Sequence, residues 1–370
     1  MRTRRQERAI AAEAELESEA TTSSPPPPPP TAPASDDAED ASSTSPTVVT
    51  ITKIEGPTVK HTDRSTQSKL PKPIQFPLAA ILSLSLSALG HSLAWPYTKG
   101  VLAEHVRVPD TREEIGALVG WRIFELALGW FSNYDGYDLT ALNLLSHGPP
   151  LYLLFAHYDI HPGALLLTLA IETVAAYVPF RLLRPLSTAH ANPNAVPNAE
   201  IVSDRSITLL TTLLAGAIYS VTLVLAYATY LPTYLIVHFV DLPSLVRAHE
   251  STYVGLLPVT LALGFAAQVF IFAPAEATGR TDEDARNEQF DPVVATLGET
   301  IRWNVWGWTS QTKVVVKRTA LLMLVTGTNT FLQTYLTVRG VEAEGAAAWS
   351  GVWVLAAAMT GLGLGAVGSV

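Results

Sequence analysis

The stretch that decides the fold class is Tyr253–Phe272, YVGLLPVTLALGFAAQVFIF, which contains no charged residue. A helix of this length is about 30 Å long, which matches the hydrocarbon core of a bilayer. Five further stretches have similar length and apolarity: Phe76–Trp95, Gly163–Phe180, Ile207–Thr229, Thr319–Val338 and Ala347–Val367. The sequence therefore predicts an all-α, polytopic bundle of transmembrane helices, with the lipid bilayer as its principal partner.

Two further stretches, Ile115–Tyr134 and Thr140–Tyr158, are weaker candidates for spans. The first contains Arg122 and Glu125, and the second is interrupted by Gly-Pro-Pro at residues 148–150, a combination that usually ends a helix. Either both stretches cross the bilayer, or together they form a hairpin that enters and returns on the same side. Both alternatives preserve an even number of crossings, so we expect six to eight spans.

Composition excludes several functional classes. Only 15% of the 370 residues are charged, against about 25% in ordinary soluble domains, and the net charge of -9 comes without a basic stripe. We therefore expect no nucleic-acid partner. The absence of cysteine excludes disulfides, thiolate metal ligands and a cysteine nucleophile.

Residues 1–73 differ in composition from the rest of the chain. They contain the uninterrupted proline run Pro25–Pro30 among serine, threonine, alanine and acidic residues, and such a segment buries too little apolar surface to offset chain entropy. We expect a disordered N-terminal tail followed by a transmembrane domain over residues 74–370. The proline run should adopt polyproline II, either as a spacer or as a ligand for a proline-recognising domain.

The distribution of basic residues predicts the orientation of the chain, because lysine and arginine near span ends favour the cytosolic side. With an even number of spans, thirteen basic residues fall on one side: Lys60, Arg64, Lys69, Lys72, Arg181, Arg184, Arg205, Arg280, Arg286, Arg302, Lys313, Lys317 and Arg318. Five fall on the other: Lys99, Arg107, Arg112, Arg247 and Arg339. We therefore expect both termini of this integral membrane protein to be cytosolic.

The longest loop between predicted spans covers residues 273–318. Asp291 followed by Pro292 is typical of a helix N-terminus. Apolar side chains follow at helical spacing: Val294, Leu297, Ile301, Val305 and Trp308. This pattern predicts an amphipathic helix that lies in the headgroup layer on the cytosolic side. The alternative is an additional helix packed on the bundle.

Three charged residues lie inside predicted spans, where charge is energetically costly and often functional. Arg122 and Glu125 are three residues apart on one helix face. They form either a gating or substrate-binding ion pair or a pair that fixes helix packing. Glu172 lies in the middle of Gly163–Phe180. It is either a proton-carrying carboxylate or one satisfied by another helix or by Arg122.

The span Thr319–Val338 carries a polar stripe on one face. Its members recur at helical spacing, and Asn329 adjoins them: Thr326, Thr330, Gln333 and Thr337. The stripe either lines a wet path or forms hydrogen bonds with neighbouring helices. In a transporter, the stripe and the three charged residues should approach each other around a cavity. In a scaffold, they should be separately satisfied and tightly packed.

Two other motifs receive a structural interpretation. Four residues resemble metal ligands: His147, His157, Asp159 and His161. They are too few for a multi-histidine site, and we interpret the histidines as interfacial. Three glycines match the dinucleotide-binding pattern: Gly363, Gly365 and Gly368. No strand precedes them, so close helix packing by Gly361 and Gly365 explains them better. We therefore predict no catalytic residue, cofactor or metal site.

Several segments resemble a family of fungal multi-pass membrane proteins that has no established activity: WRIFELALGWFSNYDGYDL, LLSHGPPLYLL, FDPVVATLGETIRWNVWGW and KVVVKR. The similarity covers most of the chain from about Lys53 onward. It implies residence in a membrane and transfers no catalytic or binding residue.

Three functions compete at this point. A transporter or channel for a small-molecule or ion cargo is favoured by the polar residues inside predicted spans: Arg122, Glu125, Glu172, Thr326, Asn329, Thr330 and Gln333. A non-catalytic membrane scaffold or assembly factor is favoured by the long tail, the amphipathic loop helix and the lack of a catalytic motif. A lipid-modifying membrane enzyme has only the histidine cluster in its favour, so we expect the chain not to be an enzyme.

Overall fold

A computed structural model of the chain describes residues 71–240 and 242–368. Apart from two isolated β-bridges and a 3-10 turn at Pro193–Ala195, the regular secondary structure of these residues is helical. The helices are α1 (Lys72–Leu102), α2 (Arg112–Phe131), α3 (Gly136–His157), α4 (Pro162–Leu183), α5 (Thr188–Ala191), α6 (Ala199–Ser203), α7 (Arg205–Ala228), α8 (Leu231–His238), α9 (Val246–Glu250), α10 (Tyr253–Ala267), α11 (Ala273–Thr278), α12 (Asp282–Glu288), α13 (Leu297–Trp306), α14 (Ser310–Thr337) and α15 (Ala343–Gly368). A π-helical segment, Gln268–Phe272, joins α10 to α11.

Among the described residues, five helical segments are long and apolar enough to cross a membrane. They are Lys72–Gly100, Pro162–Leu183, Arg205–Ala228, Tyr253–Thr278 and Ala343–Gly368. The helices α2, α3 and α14 are also long, with 20, 22 and 28 residues, but they are not among these five. The all-α fold class is confirmed, and the six to eight crossings stay a prediction.

Two isolated β-bridges mark one end of the helix bundle, called here the bridge end. Val106 pairs with Val338 and Phe239 pairs with Val341, so the segments that follow α1, α8 and α14 meet there. The opposite end, called here the loop end, contains the α2–α3 turn and the segments that lead into α7 and α14. The long helices therefore alternate in direction along the chain.

Helix α3 lies at the centre of the bundle, where it packs against α4, α10 and α14, and most of its residues are buried. The expectation that residues 148–150 interrupt this segment is wrong, because α3 is continuous through Pro149 and Pro150. Each proline lacks the N–H that would bond the carbonyl four residues earlier. Helix α14 provides the missing donors: Thr326 Oγ1 donates to the Leu145 carbonyl at 3.3 Å, and Asn329 Nδ2 donates to the Ser146 carbonyl at 2.9 Å.

Glycine allows close contact between the last two long helices, α14 and α15. Gly361 of α15 faces Thr319 of α14, and a Cβ atom at Gly361 would collide with that threonine side chain. One turn later Gly365 faces Val315, where an added Cβ would lie 3.1 Å from the valine Cγ1. These contacts explain the C-terminal glycines by helix packing.

One segment boundary differs from the sequence expectations, and the boundary of the N-terminal tail stays a prediction. Residues 1–70 of the predicted tail, including Pro25–Pro30, lie outside the described residues, and α1 already begins at Lys72. The amphipathic helix α13 begins after Thr296 rather than after Asp291. Thr296 and Glu299 cap the helix reciprocally through both backbone and side chain, whereas Asp291 accepts the N–H of Val293 in a separate turn at 2.9 Å.

Candidate functional site

The charged residues predicted inside spans form one buried cluster around Arg122. Its guanidinium lies 2.8 Å from a carboxylate oxygen of Glu125 on the same helix and 3.1 Å from one of Glu172 on α4. It also donates to Asn143 Oδ1 at 3.1 Å. The two pairings that the sequence left as alternatives for Arg122 are therefore both present. One guanidinium neutralises one of the two carboxylates, so these three side chains carry one excess negative charge when ionised.

Helix α1 contributes two further partners that the sequence interpretation missed. Ser87 Oγ donates to Glu172 at 2.8 Å, and His91 Nε2 lies 2.8 Å from the same carboxylate oxygen. The His91 side chain is 43% exposed, whereas that of Glu172 is 15% exposed. A histidine inside a predicted span was the available signal, but nothing in the sequence connected it with a residue about eighty positions away.

A cavity of about 250 Å³ opens beside the Arg122 cluster. Its polar and aromatic lining comes from five helices: Ser87, His91, Trp121, Arg122, Glu125, His147, Thr168, Glu172, Asn329, Gln333 and Thr337. The three charged residues and the part of the polar stripe nearest the bridge end therefore line the same cavity. Gln333 lies in its wall, and Asn329 lies there while also donating to the Ser146 carbonyl.

The other half of the stripe is packed between helices. Thr326 is buried and donates to the Leu145 carbonyl. Thr330 is fully buried, and its hydroxyl has no hydrogen-bond partner among the described residues. Neither threonine lines the cavity. The stripe therefore has two parts with different surroundings.

The four residues that resemble metal ligands are not brought together. His147 lies in the cavity wall with its Nδ1 3.2 Å from the Asn143 carbonyl, while His157 bonds the Tyr227 hydroxyl at 3.1 Å. Asp159 lies at an exposed position with φ 50°, and His161 caps the N-terminus of α4. Each of these four residues has its own local structural role.

A second buried cluster lies at the loop end, where α3 begins. Asp138 pairs with Arg318 of α14 at 2.6 Å, and the same guanidinium donates to the Phe270 carbonyl of the π-helical segment at 2.8 Å. Asp135 caps α3, accepts the Ser187 N–H at 2.8 Å and lies 2.7 Å from His190 Nδ1. This cluster connects four segments of the chain: α3, α14, the π-helical segment and the residues from Ser187 to His190.

Burial and pairing oppose each other at the Asp135–His190 contact. Burial by itself would raise the pKa of Asp135, but the hydrogen bond and charge of His190 outweigh it and hold that pKa well below the usual value. Burial would lower the pKa of His190, and Asp135 reverses this effect, so the pKa of His190 is raised. Each partner therefore favours the charged form of the other.

The described residues also contain two groups of three side chains with the spacing of metal ligands. One is Asp135, Asp138 and His190, and the other is the more exposed group His238, Glu342 and Glu344. In the first group Arg318 already neutralises Asp138. Neither group was predicted, because the histidine of each group is distant in sequence from its two carboxylates, and neither group is assigned a metal.

Comparison with known protein families identifies a match for the C-terminal part of the chain. Residues 204–367, less than half of the chain, match the family model of the bouquet formation protein 3 C-terminal domain, a fungal-associated family. The matched region includes FDPVVATLGETIRWNVWGW and KVVVKR, two of the segments through which the sequence resembles a fungal family. No curated protein and no solved structure matches the chain significantly.

Proposed function

We propose that the chain is a non-catalytic scaffold or assembly factor embedded in a membrane and that it supports bouquet formation. The observation that carries this proposal is the match of residues 204–367 to the bouquet formation protein 3 C-terminal domain. The matched region contains the long helices α7, α10, α14 and α15, apart from the last residue of α15. It therefore includes half of the bundle and the whole polar stripe.

The hydrogen bonding between α3 and α14 supports a scaffold. Thr326 and Asn329 satisfy carbonyls that the prolines of α3 leave free, and Arg318 is paired with Asp138. Buried polar groups that are matched in this way stabilise one arrangement of the helices. Alternating access requires two arrangements, so these contacts favour a fixed bundle over a transporter.

We further propose that the eight long helices all cross the membrane, with α10 continuing through α11. The shortest of them, α2, has 20 residues and a length of about 30 Å, enough for one crossing. The loop end is then cytosolic, because it is flanked by most of the basic residues. A glycosylation acceptor inserted between α8 and α9 should be modified, and one at the N-terminus should not; the reverse pattern would invert the proposed orientation.

Transport, which the sequence favoured, has the cavity beside Arg122 as its structural argument. The cavity brings Glu172 and Gln333 into one space, as a binding site for a small polar cargo would require. The family match adds no support for a cargo. Transport is therefore the second candidate.

A rescue experiment in cells of the source organism separates the two functions. Deletion of the gene should impair bouquet formation, and re-expression of the full chain should restore it. Glu172→Gln keeps the size of the side chain and removes its charge, so a scaffold should still rescue when the variant is present at the wild-type level. Normal bouquet formation in the deletion strain would refute the proposed role. Loss of rescue by a stable Glu172→Gln protein would favour transport.

A further inference from the structure

Helix α13 at the loop end presents an apolar face that nothing in the described chain covers. Leu297, Ile301 and Val305 are spaced four residues apart on this face, and they are 78%, 55% and 62% exposed. Val293 and Val294, just before the helix, are 89% and 82% exposed. No residue of α13 is buried, so the helix does not pack on the bundle through this face.

The opposite side of α13 forms a pocket of about 530 Å³ together with α12. Arg286 of α12 and Arg302 of α13 line it, together with Phe290, Trp303 and Trp306. The Phe290 ring stacks on Trp303 with ring centres 4.9 Å apart. Trp303 Nε1 donates to the Asn287 carbonyl at 3.1 Å. These contacts fix the wall of the pocket before any ligand arrives.

The charges at the pocket are three positive against two negative when the Lys313 that pairs with Glu283 is included, which favours an anion. Two glutamates also line it, but Glu283 is paired with Lys313 at 2.8 Å, and Glu299 accepts the Thr296 N–H at 2.8 Å in the capping box of α13. Arg286 is held through Nε by the Asp282 carbonyl, and within the described residues no carboxylate oxygen lies in ion-pair distance of Arg302. Both arginines lie near enough to Glu283 to help lower the pKa of that carboxyl, without forming an ion pair with it. The terminal nitrogens of both arginines are therefore available to a phosphate, which guanidinium binds with matching geometry.

Helix α13, which forms one wall of the pocket, is joined by a short connection to the long helix α14 of the bundle. Only Gly307, Trp308 and Thr309 separate α13 from α14, and the Lys317 ammonium of α14 lies 5.8 Å from the centre of the Trp306 ring. Tryptophan and basic residues at this position are typical of the headgroup layer of a membrane. The exposed face of α13 is then at the depth where acyl chains begin.

We propose that α12 and α13 bind the headgroup of an anionic phospholipid in the leaflet at the loop end. Arg286 and Arg302 contact the phosphate, and the apolar face of α13 lies among the upper acyl chains. Lipid is the occupant that fits both sides of the helix, because the arginines match its headgroup and the uncovered aliphatic residues match its chains. The proposal rests on membrane insertion of the bundle and is independent of a role in bouquet formation.

Native mass spectrometry of the full-length protein tests this site. The protein is purified in mild detergent and incubated with an equimolar mixture of phosphatidylserine and phosphatidylcholine, and the ratio of the two lipids retained is measured. The wild type should retain phosphatidylserine preferentially. Arg286→Gln combined with Arg302→Gln should reduce this preference by roughly fivefold for each arginine.

A matched control removes the same charge from the bridge end, through Arg112→Gln combined with Arg339→Gln. This variant should keep the wild-type preference. Arg286→Lys combined with Arg302→Lys retains the charge and should recover part of the preference, which separates lipid binding from misfolding. Equal retention of the two lipids by the wild type would overturn the proposal, as would an equal loss in the control. A site for a soluble acidic partner would give the first of these results.

Discussion

Helices α1 and α3 differ in how much of their surface is buried within the protein, and this difference shows which helices lie at the periphery of the bundle and which at its centre. Only 17% of the most apolar stretch of α1 is buried within the protein, and Leu89 and Leu93 are exposed. Most of α3 is buried, although it carries Asp138 and two prolines. In a bilayer, apolar side chains can face the lipid directly, whereas polar groups need hydrogen-bond partners within the protein. Hydropathy therefore identifies the periphery of this bundle better than its centre.

The largest effect that would test this comparison is expected at Asp138 of α3. Replacement by alanine would leave the buried Arg318 guanidinium without its carboxylate, which typically destabilises a protein by about 3–5 kcal/mol. Thermal unfolding of the detergent-purified protein should show the loss. The double variant Asp138→Ala with Arg318→Met removes both charges and should be more stable than Asp138→Ala alone. If the double variant is the less stable of the two, the pair has been misinterpreted.

A smaller effect is expected from truncating a leucine on each of the two helices. Leu153 of α3 is fully buried, and its replacement by alanine should destabilise the protein by about 2–5 kcal/mol. Leu89 of α1 is 55% exposed, and the same replacement there should change stability by less than about 0.5 kcal/mol. Both variants are compared by their unfolding midpoints in one detergent. Similar losses at the two sites would remove the distinction between periphery and centre.

The smallest effect is the pH dependence of the contact between Asp135 and His190. The raised pKa of His190 contributes stability that is fully present below about pH 6.5 and is lost as the pH rises through the folded-state value. The lowered pKa of Asp135 contributes stability above about pH 4, which is lost as the pH falls through its depressed value. Unfolding midpoints should therefore decline on the alkaline side. His190→Gln should flatten that decline, and an unchanged pH profile would contradict the account.

Local patterns predicted the helices well. The apolar stretches lie within the long helices to within a few residues, and the spacing of Arg122 and Glu125 placed both on one face, where they pair. These features depend on neighbours in sequence. The predicted start of α13 was wrong because two capping signals lie five residues apart in the sequence. The helix begins after the reciprocal capping box at Thr296 and not after Asp291.

Contacts between distant segments could not be predicted from one sequence. Glu172 meets His91 and Arg122 because α1, α2 and α4 come together, and no periodicity encodes that choice of neighbours. The proline motif in α3 indicated a break in the helix. This expectation was wrong because the donors that replace the missing backbone N–H groups lie on α14, about 180 residues away in sequence. The charged members of the candidate site were therefore predictable from the sequence, whereas most of their contacts and the partners Ser87 and His91 were not.

The most direct test of the central claim is a double-mutant cycle between Asn329 of α14 and Pro150 of α3. Asn329→Leu leaves the Ser146 carbonyl without a donor and should destabilise the protein by about 1–3 kcal/mol. Pro150→Ala restores the backbone N–H that bonds this carbonyl within the helix, so Asn329→Leu should then have a clearly smaller effect. The account predicts this positive coupling in the free energy of unfolding. An equal loss in the two backgrounds would show that Asn329 does not serve the carbonyl freed by Pro150, and would contradict a bundle held together by the polar groups at its centre.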